Sequence, residues 1–518
     1  MSGLVVVTAL RSEYLALRKR VPDARLVRCG MGPERVRAWL PQLAELAPDT
    51  LVVAGVAGGL DPSLRPGDVV VANEVRDAHG RIVLRAAAPL AAQLRLAGLR
   101  VHSGPIVSRD HLVTGAARER LAASGALAVD MESAAIVRAG GREPDRLPTA
   151  VIRVIVDTAF SGLARPATIV AGMRALAVLR RTGPALRRWA DLAGPREVLL
   201  AGPRSFCAGV DRAIDIVTQA LQRYPRPVYV RRQIVHNAHV VADLQRQGAV
   251  FVDELDEVPD GTTVVFSAHG VAPAVRDEAD RRGLNVVDAT CPLVAKVHTE
   301  ARRFAARGDT VLFIGHAGHD ETEGTVGEAP DQVRVVGDAE QARLVPVSDP
   351  AKVAYLTQTT LAVEDAAEVV DVLRDRFPAV EAPPTDDICF ATTNRQTAVR
   401  AIAAESDTVI VLGSTNSSNS LRLAEVAARC GARAHLVDDA SEILPEWLEQ
   451  ARTVGITAGA SAPPHLVDEV IATLSALGPV SVRERVVTTE DIRFALPKQV
   501  ADSPDPMAQP STPDNEEF

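Results

Sequence analysis

Short apolar runs rich in β-branched residues recur along the chain, and each is followed by a turn and then by a segment with helical periodicity. In the first part these runs are LVVVTAL, ARLVRCGMG, DTLVVAGVAGG, DVVVANEV and TAVIRVIVDTA, with helical AARERLAASGA before the last of them. Apolar runs that alternate with helical segments are typical of a largely buried sheet with helices packed on it. The pattern predicts an α/β domain over residues 1–190.

A second region begins after a long helical stretch, VAGMRALAVLRRTGPALRRWADL, which is interrupted by AGPRE. The Gly-Pro signal predicts a linker at residues 191–197. The strand, polar turn and helix pattern then recurs in EVLLAGPRSFCAG, TTVVFSAHGVA, TVLFIGHAGHDE, DTVIVLGSTNSSNS and RTVGITAGASAP. In open α/β sheets such turns lie at the carboxyl ends of strands, where ligands bind. We therefore expect these five turns to converge on one pocket.

Length and composition agree with several folded units. A chain of 518 residues with 47% apolar content is too long for one ordinary hydrophobic core. Residues 499–518, which end in ADSPDPMAQPSTPDNEEF, are acidic, proline-rich and poor in bulky apolar side chains, so we expect a disordered tail.

Charge and aromatic content exclude some partners. A net charge of -9 with 3% aromatic residues lacks the basic surface and stacking platforms of a nucleic-acid binder. The N-terminus MSGLVVVTAL has no basic segment or cleavage site, and no apolar run reaches membrane-spanning length. We expect a cytoplasmic protein without a membrane span and without a nucleic-acid partner.

Five cysteines are scattered along the chain, and their odd number and wide spacing disfavour a disulfide framework. Free cysteine often fills protein cores, and we expect this for Cys29 and Cys430. Cys207, Cys291 and Cys389 instead follow apolar runs and stand beside small or threonine residues. Their spacing leaves both a shared metal cluster and separate core positions open.

The motifs around these three cysteines are more specific. FCAGVDRAI, VHN, FSAHGV, DATCPLV, GHAGH, TQTTL, DDICFATTNRQ, NSSNS and TAGASAP occur in this order. From Val198 to Lys498 the sequence resembles the 4-hydroxy-3-methylbut-2-enyl diphosphate reductase family. The resemblance implies three α/β subdomains in a trefoil around a 4Fe-4S cluster held by Cys207, Cys291 and Cys389. It also implies a substrate hydroxyl bound at the open iron, a ferredoxin or flavodoxin as electron donor, and isopentenyl and dimethylallyl diphosphates as products.

The same resemblance implies roles for the polar turns. Glu321 is the expected proton donor or relay, His319 helps to hold the substrate and its protons, and Thr359 bonds the substrate hydroxyl. From the residues alone, His319 and Glu321 could equally cap the following helix. A diphosphate requires several fixed hydrogen-bond donors. The positions that match the family's diphosphate ligands are His236, His269, Ser417, Asn419 and Ser461, with Ser418 and Thr392 as neighbours.

One departure from the family pattern precedes Cys207. The family usually has glycine where this chain has Ser205, in GPRSFC. If that position requires a positive φ, the serine carries local strain.

Residues 1–190 carry TALRSEYLAL, CGMGPERV, GVAGGLDPSLRPGDVVV, AVDMESAAI and RVIVDTA. They resemble the nucleoside phosphorylase and nucleosidase superfamily, in particular its methylthioadenosine/S-adenosylhomocysteine nucleosidase branch and hopanoid-associated relatives. The resemblance implies that Glu132 contacts the ribose above Met131, Asp157 protonates the purine and Glu13 activates water. A helix N-terminus and a helix cap are equally consistent with Glu132 and Asp157. Glu13 favours hydrolysis without excluding phosphorolysis.

Fusion to an isoprenoid enzyme suggests adenosylhopane as the purine nucleoside. Two alternatives stay open. The N-terminal domain could be a non-catalytic purine-binding regulatory module, or the C-terminal part could be an iron-sulfur redox sensor. A sensor needs neither a proton donor nor a diphosphate pocket, so the polar motifs favour the enzyme.

Overall fold

A computed structural model describes residues 3–84, 87–140, 147–157 and 166–501, with the side chains of residues 166–168 excepted. The chain divides into two compact units. The first comprises Met1–Val198 with Leu444–Val454 and Val470–Val482, and the second comprises Leu199–Ile443, Gly455–Glu469 and Arg483–Phe518. The expected tail lies almost entirely outside the described residues, since these end at position 501.

The N-terminal part alternates strands and helices as its apolar pattern predicts. Its elements are β1 (Leu4–Thr8), α1 (Arg11–Leu17), β2 (Arg25–Arg28), α2 (Pro33–Leu46), β3 (Thr50–Gly59), β4 (Val69–Asp77), β5 (Gly80–Val83), α3 (Ala87–Leu96), β6 (Val101–Ser108), α4 (Ala116–Ala122), β7 (Ala128–Asp130), α5 (Ser133–Ala139), β8 (Thr149–Asp157) and α6 (Pro166–Ala193).

These eight strands form one mixed sheet. Its order is β2-β1-β3-β7-β6-β4-β5, and β8 pairs with both β3 and β4, so the pairings around β3, β7, β6, β4 and β8 close on themselves. The strands β1, β3 and β8 pair in parallel and are almost continuously apolar and buried, as expected for strands covered on both faces. Their carboxyl ends position the N-terminal site.

The predicted linker is mostly regular structure. Helix α6 extends to Ala193 and the next strand begins at Arg196, so only Gly194 and Pro195 lie outside an element. The Arg196 guanidinium donates to the carbonyls of Leu192 at 2.5 Å and Asp191 at 2.7 Å. The helix persists past the predicted boundary because this side chain satisfies carbonyls that the helix end leaves without partners.

The remaining elements are β9 (Arg196–Gly202), α7 (Ala208–Arg223), β10 (Val228–Arg231), α8 (Ala238–Gln247), β11 (Ala249–Val252), β12 (Thr263–Phe266), α9 (Pro273–Arg281), β13 (Asn285–Asp288), α10 (Pro292–Ala306), β14 (Thr310–Ile314), α11 (Asp320–Glu328), β15 (Val333–Val336), α12 (Ala339–Leu344), β16 (Val353–Thr357), α13 (Val363–Arg376), α14 (Phe390–Ala403), β17 (Thr408–Leu412), α15 (Ser418–Arg429), β18 (Arg433–Val437), α16 (Pro445–Leu448), β19 (Thr453–Ala458), α17 (His465–Leu477) and β20 (Val480–Val486).

Three sheets follow the mixed sheet. Their orders are β11-β10-β12-β13, β15-β14-β16 and β18-β17-β19-β9-β20. The first two are parallel throughout, with in-register pairs such as Val230 with Val265 and Phe313 with Leu356. Strands with side chains buried on both faces require helices on both sides, which explains their β-branched composition. The α/β class predicted for both parts of the chain is confirmed.

The two remaining cysteines behave differently. Cys29 is buried in the first unit, where its pKa is raised to about 12 mainly by burial. Cys430 is exposed at the C-cap of α15, so the expectation that it fills a core is wrong. The helix ends there at Gly431, whose φ of 92° turns the chain away and leaves the thiol in solvent. No helix in the described ranges has the length and apolar content needed to span a membrane.

Candidate functional site

Cys207, Cys291 and Cys389 line one pocket in the second unit. Each is the N-cap residue of a helix, at the start of α7, α10 and α14 respectively. A Cβ atom added to Gly209 would lie 2.8 Å from Sγ of Cys291 and 3.8 Å from Sγ of Cys207. Only glycine leaves room for both sulfur atoms, and the three thiols face a common space as the motifs imply.

Burial raises the pKa of Cys291 to about 11 and that of Cys389 to about 12, and the nearby Cys207 adds to both shifts. Thr392 donates its backbone N–H to the Cys389 sulfur at 3.3 Å, and the Thr392 hydroxyl lies 3.1 Å from the same sulfur. Mutually unfavourable thiolates held close together without disulfides are the donor set expected for a metal or cluster, whose positive charge would remove the penalty.

A buried carboxyl group lies in the same pocket. Glu321 is 1% exposed, and its two oxygens accept from the Thr359 backbone N–H at 2.7 Å and the Thr359 hydroxyl at 3.0 Å. Burial raises the pKa of Glu321 to about 7, although the hydrogen bonds from Thr359 oppose the shift. A carboxyl group with this proton affinity can hold and deliver a proton near neutral pH.

Three histidines form the opposite part of the pocket. The rings of His236 and His269 stack with centroids 4.0 Å apart, and His319 stands edge-on at 5.2 Å from His236. His319 is also the N-cap of α11, where its Nδ1 accepts from the Glu321 backbone N–H at 3.2 Å. Helix capping and a place in the pocket, which the residues alone offer as alternatives, therefore coexist at His319.

Burial lowers the pKa of all three histidines, to about 4 for His319. Burial therefore favours their neutral forms near pH 7, and an anion that entered the pocket would favour their protonation. Asp320 lies beside His269, at 3.7 Å from its Nδ1, and is ion-paired with Arg232. Sequence reasoning missed this aspartate and arginine because the charged residues around α11 have no distinguishing spacing.

The last wall comes from the turns after β17 and β19. Ser417 caps α15 and lies 3.5 Å from Ser461 through their hydroxyl oxygens, and Ser461 donates to the His236 carbonyl at 3.0 Å. Several buried polar atoms in this pocket have no hydrogen-bond partner among the described residues: Nε2 of His236, Nδ1 of His269, Oγ of Ser418 and both amide atoms of Asn419. Buried polar groups are normally satisfied, so this cluster indicates a polar ligand.

Ser205, before the first cysteine, has a φ of 61° and a buried hydroxyl without a partner in the described part of the chain. The position requires the left-handed conformation, as the glycine usual in the family suggests. The serine therefore carries the local strain that the sequence predicts under that condition.

The first unit contains a separate pocket lined by Glu13, Met131, Glu132 and Asp157. Glu13 accepts backbone N–H groups from Ala9 at 3.0 Å, Leu10 at 2.8 Å and Val56 at 2.8 Å. These bonds fix the carboxylate at the edge of β1 and β3, in a position to orient a ligand hydroxyl or a water molecule.

A buried arginine organises the acidic residues of this pocket. Arg153, 1% exposed, lies 2.7 Å from Asp130 and 3.6 Å from Glu132, which also accepts the Gly32 backbone N–H at 3.0 Å. Burial raises the pKa of Glu132, and Arg153 opposes the shift. An arginine within the apolar strand RVIVD is the signal that could have revealed this group.

Asp157 is bound by a second arginine that sequence reasoning missed. Arg118 donates from Nη1 to Oδ2 at 2.6 Å and from Nη2 to Oδ1 at 3.0 Å, and both side chains are buried. A bidentate arginine orients a carboxylate through two charge-assisted hydrogen bonds. Asp157 lies in the pocket, and both of its carboxylate oxygens accept hydrogen bonds from Arg118. The residues after it lie outside the described ranges.

Comparison with known proteins identifies the family of the C-terminal part of the chain. Residues 198–475 match the family described as LytB protein. The chain belongs to the LytB family. The 4-hydroxy-3-methylbut-2-enyl diphosphate reductase 1 of Mycobacterium tuberculosis is 57% identical over 322 residues, which are 61% of this chain and 97% of that protein. The corresponding reductase of Leifsonia xyli subsp. xyli is 56% identical over 308 residues, 59% of this chain and 91% of that protein.

A solved structure agrees with this assignment. The Plasmodium falciparum E-1-hydroxy-2-methyl-but-2-enyl-4-diphosphate reductase has a TM-score of 0.57 and 34% identity, and covers 59% of this chain and 96% of that chain. LytB proteins of this kind are iron-sulfur oxidoreductases, and the LytB part of this chain is one. Residues 20–183 match the Phosphorylase superfamily, which confirms the nucleosidase-like fold of the N-terminal part.

Proposed function

We propose that residues 198–498 reduce 4-hydroxy-3-methylbut-2-enyl diphosphate to isopentenyl and dimethylallyl diphosphates in the methylerythritol phosphate pathway. The proposal rests on one pocket, which is lined by three thiols and by a buried carboxyl group of raised pKa. The same pocket contains several buried polar atoms that have no hydrogen-bond partner among the described residues. The reaction adds two electrons and two protons to the substrate and releases water. Ferredoxin or flavodoxin is the proposed source of the electrons.

The three cysteines fit a 4Fe-4S cluster with one iron free of protein ligands. Such a cluster, when bound, supplies electrons and a Lewis-acidic position for the substrate oxygen. Gly209 leaves space beside two of the sulfurs, and Thr392 orients the third.

The protein side chains supply the proton and the orientation. Glu321 is protonated for a substantial fraction of the time at neutral pH and is the proposed donor to the departing hydroxyl, with Thr359 holding its carboxyl group in place. His319 lies next to this residue, because its Nδ1 accepts the Glu321 backbone N–H at the N-cap of α11. A proton donor that is buried and pre-oriented acts without solvent reorganisation.

The diphosphate is proposed to lie against the polar side chains that line this part of the pocket: His236, His269, His319, Ser417, Ser418, Asn419 and Ser461. Polar atoms of His236, His269, Ser418 and Asn419 have no hydrogen-bond partner among the described residues. Entry of this anion favours protonation of the histidines, which converts neutral donors into charge-assisted ones. A redox sensor would not need this wall, and its presence supports the enzyme.

Replacement of Glu321 by glutamine tests the proposal. We expect Glu321→Gln to keep its iron and to lose turnover by about a hundredfold or more, because general acid catalysis contributes that much. Cys291→Ser should lose the cluster. Normal turnover by Glu321→Gln in oxygen-free assays with a reduced donor would show that the proton route is wrong.

For residues 1–190 we propose cleavage of a purine nucleoside, with adenosylhopane as the substrate suggested by fusion to an isoprenoid enzyme. Glu132 would bind the ribose above Met131, and Glu13 would orient the attacking water. Glu13, Asp130 and Glu132 place three carboxylates around the single Arg153. This excess negative charge opposes a phosphate co-substrate and favours hydrolysis.

A purine-binding regulatory module is the second candidate for this domain. The Arg118–Asp157 pair favours it, because both Asp157 oxygens are engaged by Arg118 rather than left to face a leaving base. Adenine release from adenosylhopane and methylthioadenosine by the full chain and by Asp157→Asn separates the two. Release that is lost in the variant supports cleavage, and binding without release by the wild type supports regulation.

A further inference from the structure

Each helix that begins at one of the three pocket cysteines carries a basic residue about one and a half turns further on. Arg212 follows Cys207 on α7, Lys296 follows Cys291 on α10, and Arg395 follows Cys389 on α14. Nothing in the reductase chemistry proposed above uses these cations. Their contacts connect the cysteines in a fixed order.

Arg212 reaches the turn that leads into Cys291. Its Nη1 donates to the carbonyl oxygens of Ala289 at 3.3 Å and Thr290 at 3.1 Å, the two residues immediately before that cysteine. Its Nε donates to the carbonyl oxygen of Ala495 at 2.8 Å. The helix of the first cysteine therefore holds the turn of the second.

Lys296 does the same for Cys389. Its Nζ donates to the carbonyl oxygens of Thr385 at 2.7 Å and Asp386 at 2.9 Å, and to Oδ1 of Asp387 at 3.0 Å. The Asp387 carboxylate is completely buried, and its other oxygen accepts the Thr357 backbone N–H at 3.0 Å. The helix of the second cysteine holds the segment before the third.

Arg395 completes the circuit at Cys207. Its Nε and Nη2 donate to the Ser205 carbonyl oxygen at 3.1 and 2.8 Å, and Nη2 donates to the Phe206 carbonyl oxygen at 3.1 Å. Its Nη1 lies 3.1 Å from each carboxylate oxygen of Glu490. Arg395 is 1% exposed, so these bonds form away from solvent.

We infer that Arg212, Lys296 and Arg395, the cyclic clamp, are positioning residues that hold the three cysteine turns at the mutual spacing required by an iron-sulfur cluster. The inference rests on the proposed ligation by these cysteines. Because each helix holds the turn of the next cysteine, one sulfur cannot move away without breaking charge-assisted hydrogen bonds to the backbone. Such bonds are stronger than those between neutral groups.

This closed set of contacts explains how three segments far apart in the sequence can hold their sulfur atoms at fixed distances from one another. Each cysteine also begins its own helix, so the cation, the helix and the sulfur move as one rigid piece.

The test compares clamp variants with matched variants on α10 and α14. Arg212→Met, Lys296→Met and Arg395→Met each remove one cation with little loss of volume, and Arg395→Lys keeps the charge but loses the planar fork. Arg303→Met on α10 and Arg400→Met on α14 remove partly exposed cations that pair with Glu300 and Glu364. Full-length chains are reconstituted with iron and sulfide without oxygen.

Three readouts are needed: iron and sulfide per chain, the rate at which a chelator bleaches the cluster absorbance, and the melting of the metal-free chain. We expect each clamp variant to lose its cluster at least about tenfold faster than wild type at a temperature where the metal-free variant is folded. The three rates should be similar, with Arg395→Lys between wild type and Arg395→Met. Both matched variants should behave as wild type.

Wild-type retention of iron by the clamp variants would overturn the inference, and so would rapid loss confined to one of the three positions. If Arg395→Met does not fold, Arg395→Lys decides the outcome by the same comparison. A wild-type chain that binds no iron would contradict the proposed ligation itself, which distinguishes failure of that proposal from failure of the clamp.

Discussion

Glu321→Gln should change the stability of the metal-free protein in a way that depends on pH. The Glu321 carboxyl group is fully buried, and a pKa of about 7 against an ordinary 4.5 corresponds to a cost of about 3 kcal/mol for its ionised form. Glutamine has nearly the same shape and cannot ionise. It can accept the Thr359 backbone N–H and donate to the Thr359 hydroxyl, so both local bonds are kept.

The sign follows from where the proton is held more tightly. The folded chain binds the Glu321 proton more tightly than the unfolded chain, so the wild type loses stability as the pH rises from 4.5 to about 7. Glu321→Gln escapes this loss. The free energy of unfolding of the variant minus that of the wild type should increase by about 2 kcal/mol between about pH 5.5 and about pH 8.5.

Scanning calorimetry of the reduced, metal-free chain measures this difference. The transition of the second unit should melt about 4 °C higher in the variant than in the wild type at the upper pH, beyond any difference at the lower pH. Glu368→Gln, at an exposed position on α13, is the matched control and should show no such dependence. If the variant exceeded the wild type in melting temperature by the same amount at both pH values, burial would not be what raises the pKa of Glu321.

Four further outcomes are expected. Ser205→Gly should raise the free energy of unfolding by about 1 kcal/mol in urea titrations, because glycine relieves the positive φ at a smaller entropic cost. Gly209→Ala should lower the iron content of a folded chain, since its Cβ would lie 2.8 Å from the Cys291 sulfur; full iron loading would contradict the proposed ligation. Arg118→Met should increase adenine release by about tenfold, because it frees both Asp157 oxygens from the arginine that now engages them; an unchanged rate would show that Arg118 does not restrain Asp157. Inorganic diphosphate should bind with proton uptake near pH 6, since burial keeps the site histidines neutral; calorimetry in two buffers of different ionisation enthalpy measures the uptake.

The polar turns could be predicted from the sequence because local patterns mark them. Cys207, His269 and Ser461 each follow an apolar run that ends a strand, and parallel strands present their carboxyl ends on one side of a sheet. The motifs therefore marked each turn as a ligand-binding end of a strand, whereas only tertiary structure brings turns from different sheets into one pocket. Cys430 was misplaced because a helical position near a C-terminus does not reveal whether its side chain faces the core or solvent.

The roles of Arg118 and of the cyclic clamp could not be predicted from local sequence signals. Arginine and lysine on a helix are ordinary surface residues by pattern, and only the packing of distant segments decides whether their donors meet a carboxylate or a backbone carbonyl. The proton affinity of Glu321 likewise depends on the burial of a side chain whose sequence neighbours are polar.

The sequence by itself determined the α/β class, the succession of strands, turns and helices, and the thiols, imidazoles and carboxyl groups available for chemistry. These properties follow from local periodicity and residue type. Tertiary structure decided which charges are paired, which carboxyl group holds a proton and what keeps three separate sulfurs together. Those properties depend on distance and on exclusion of water, and both are set by contacts between residues far apart along the chain.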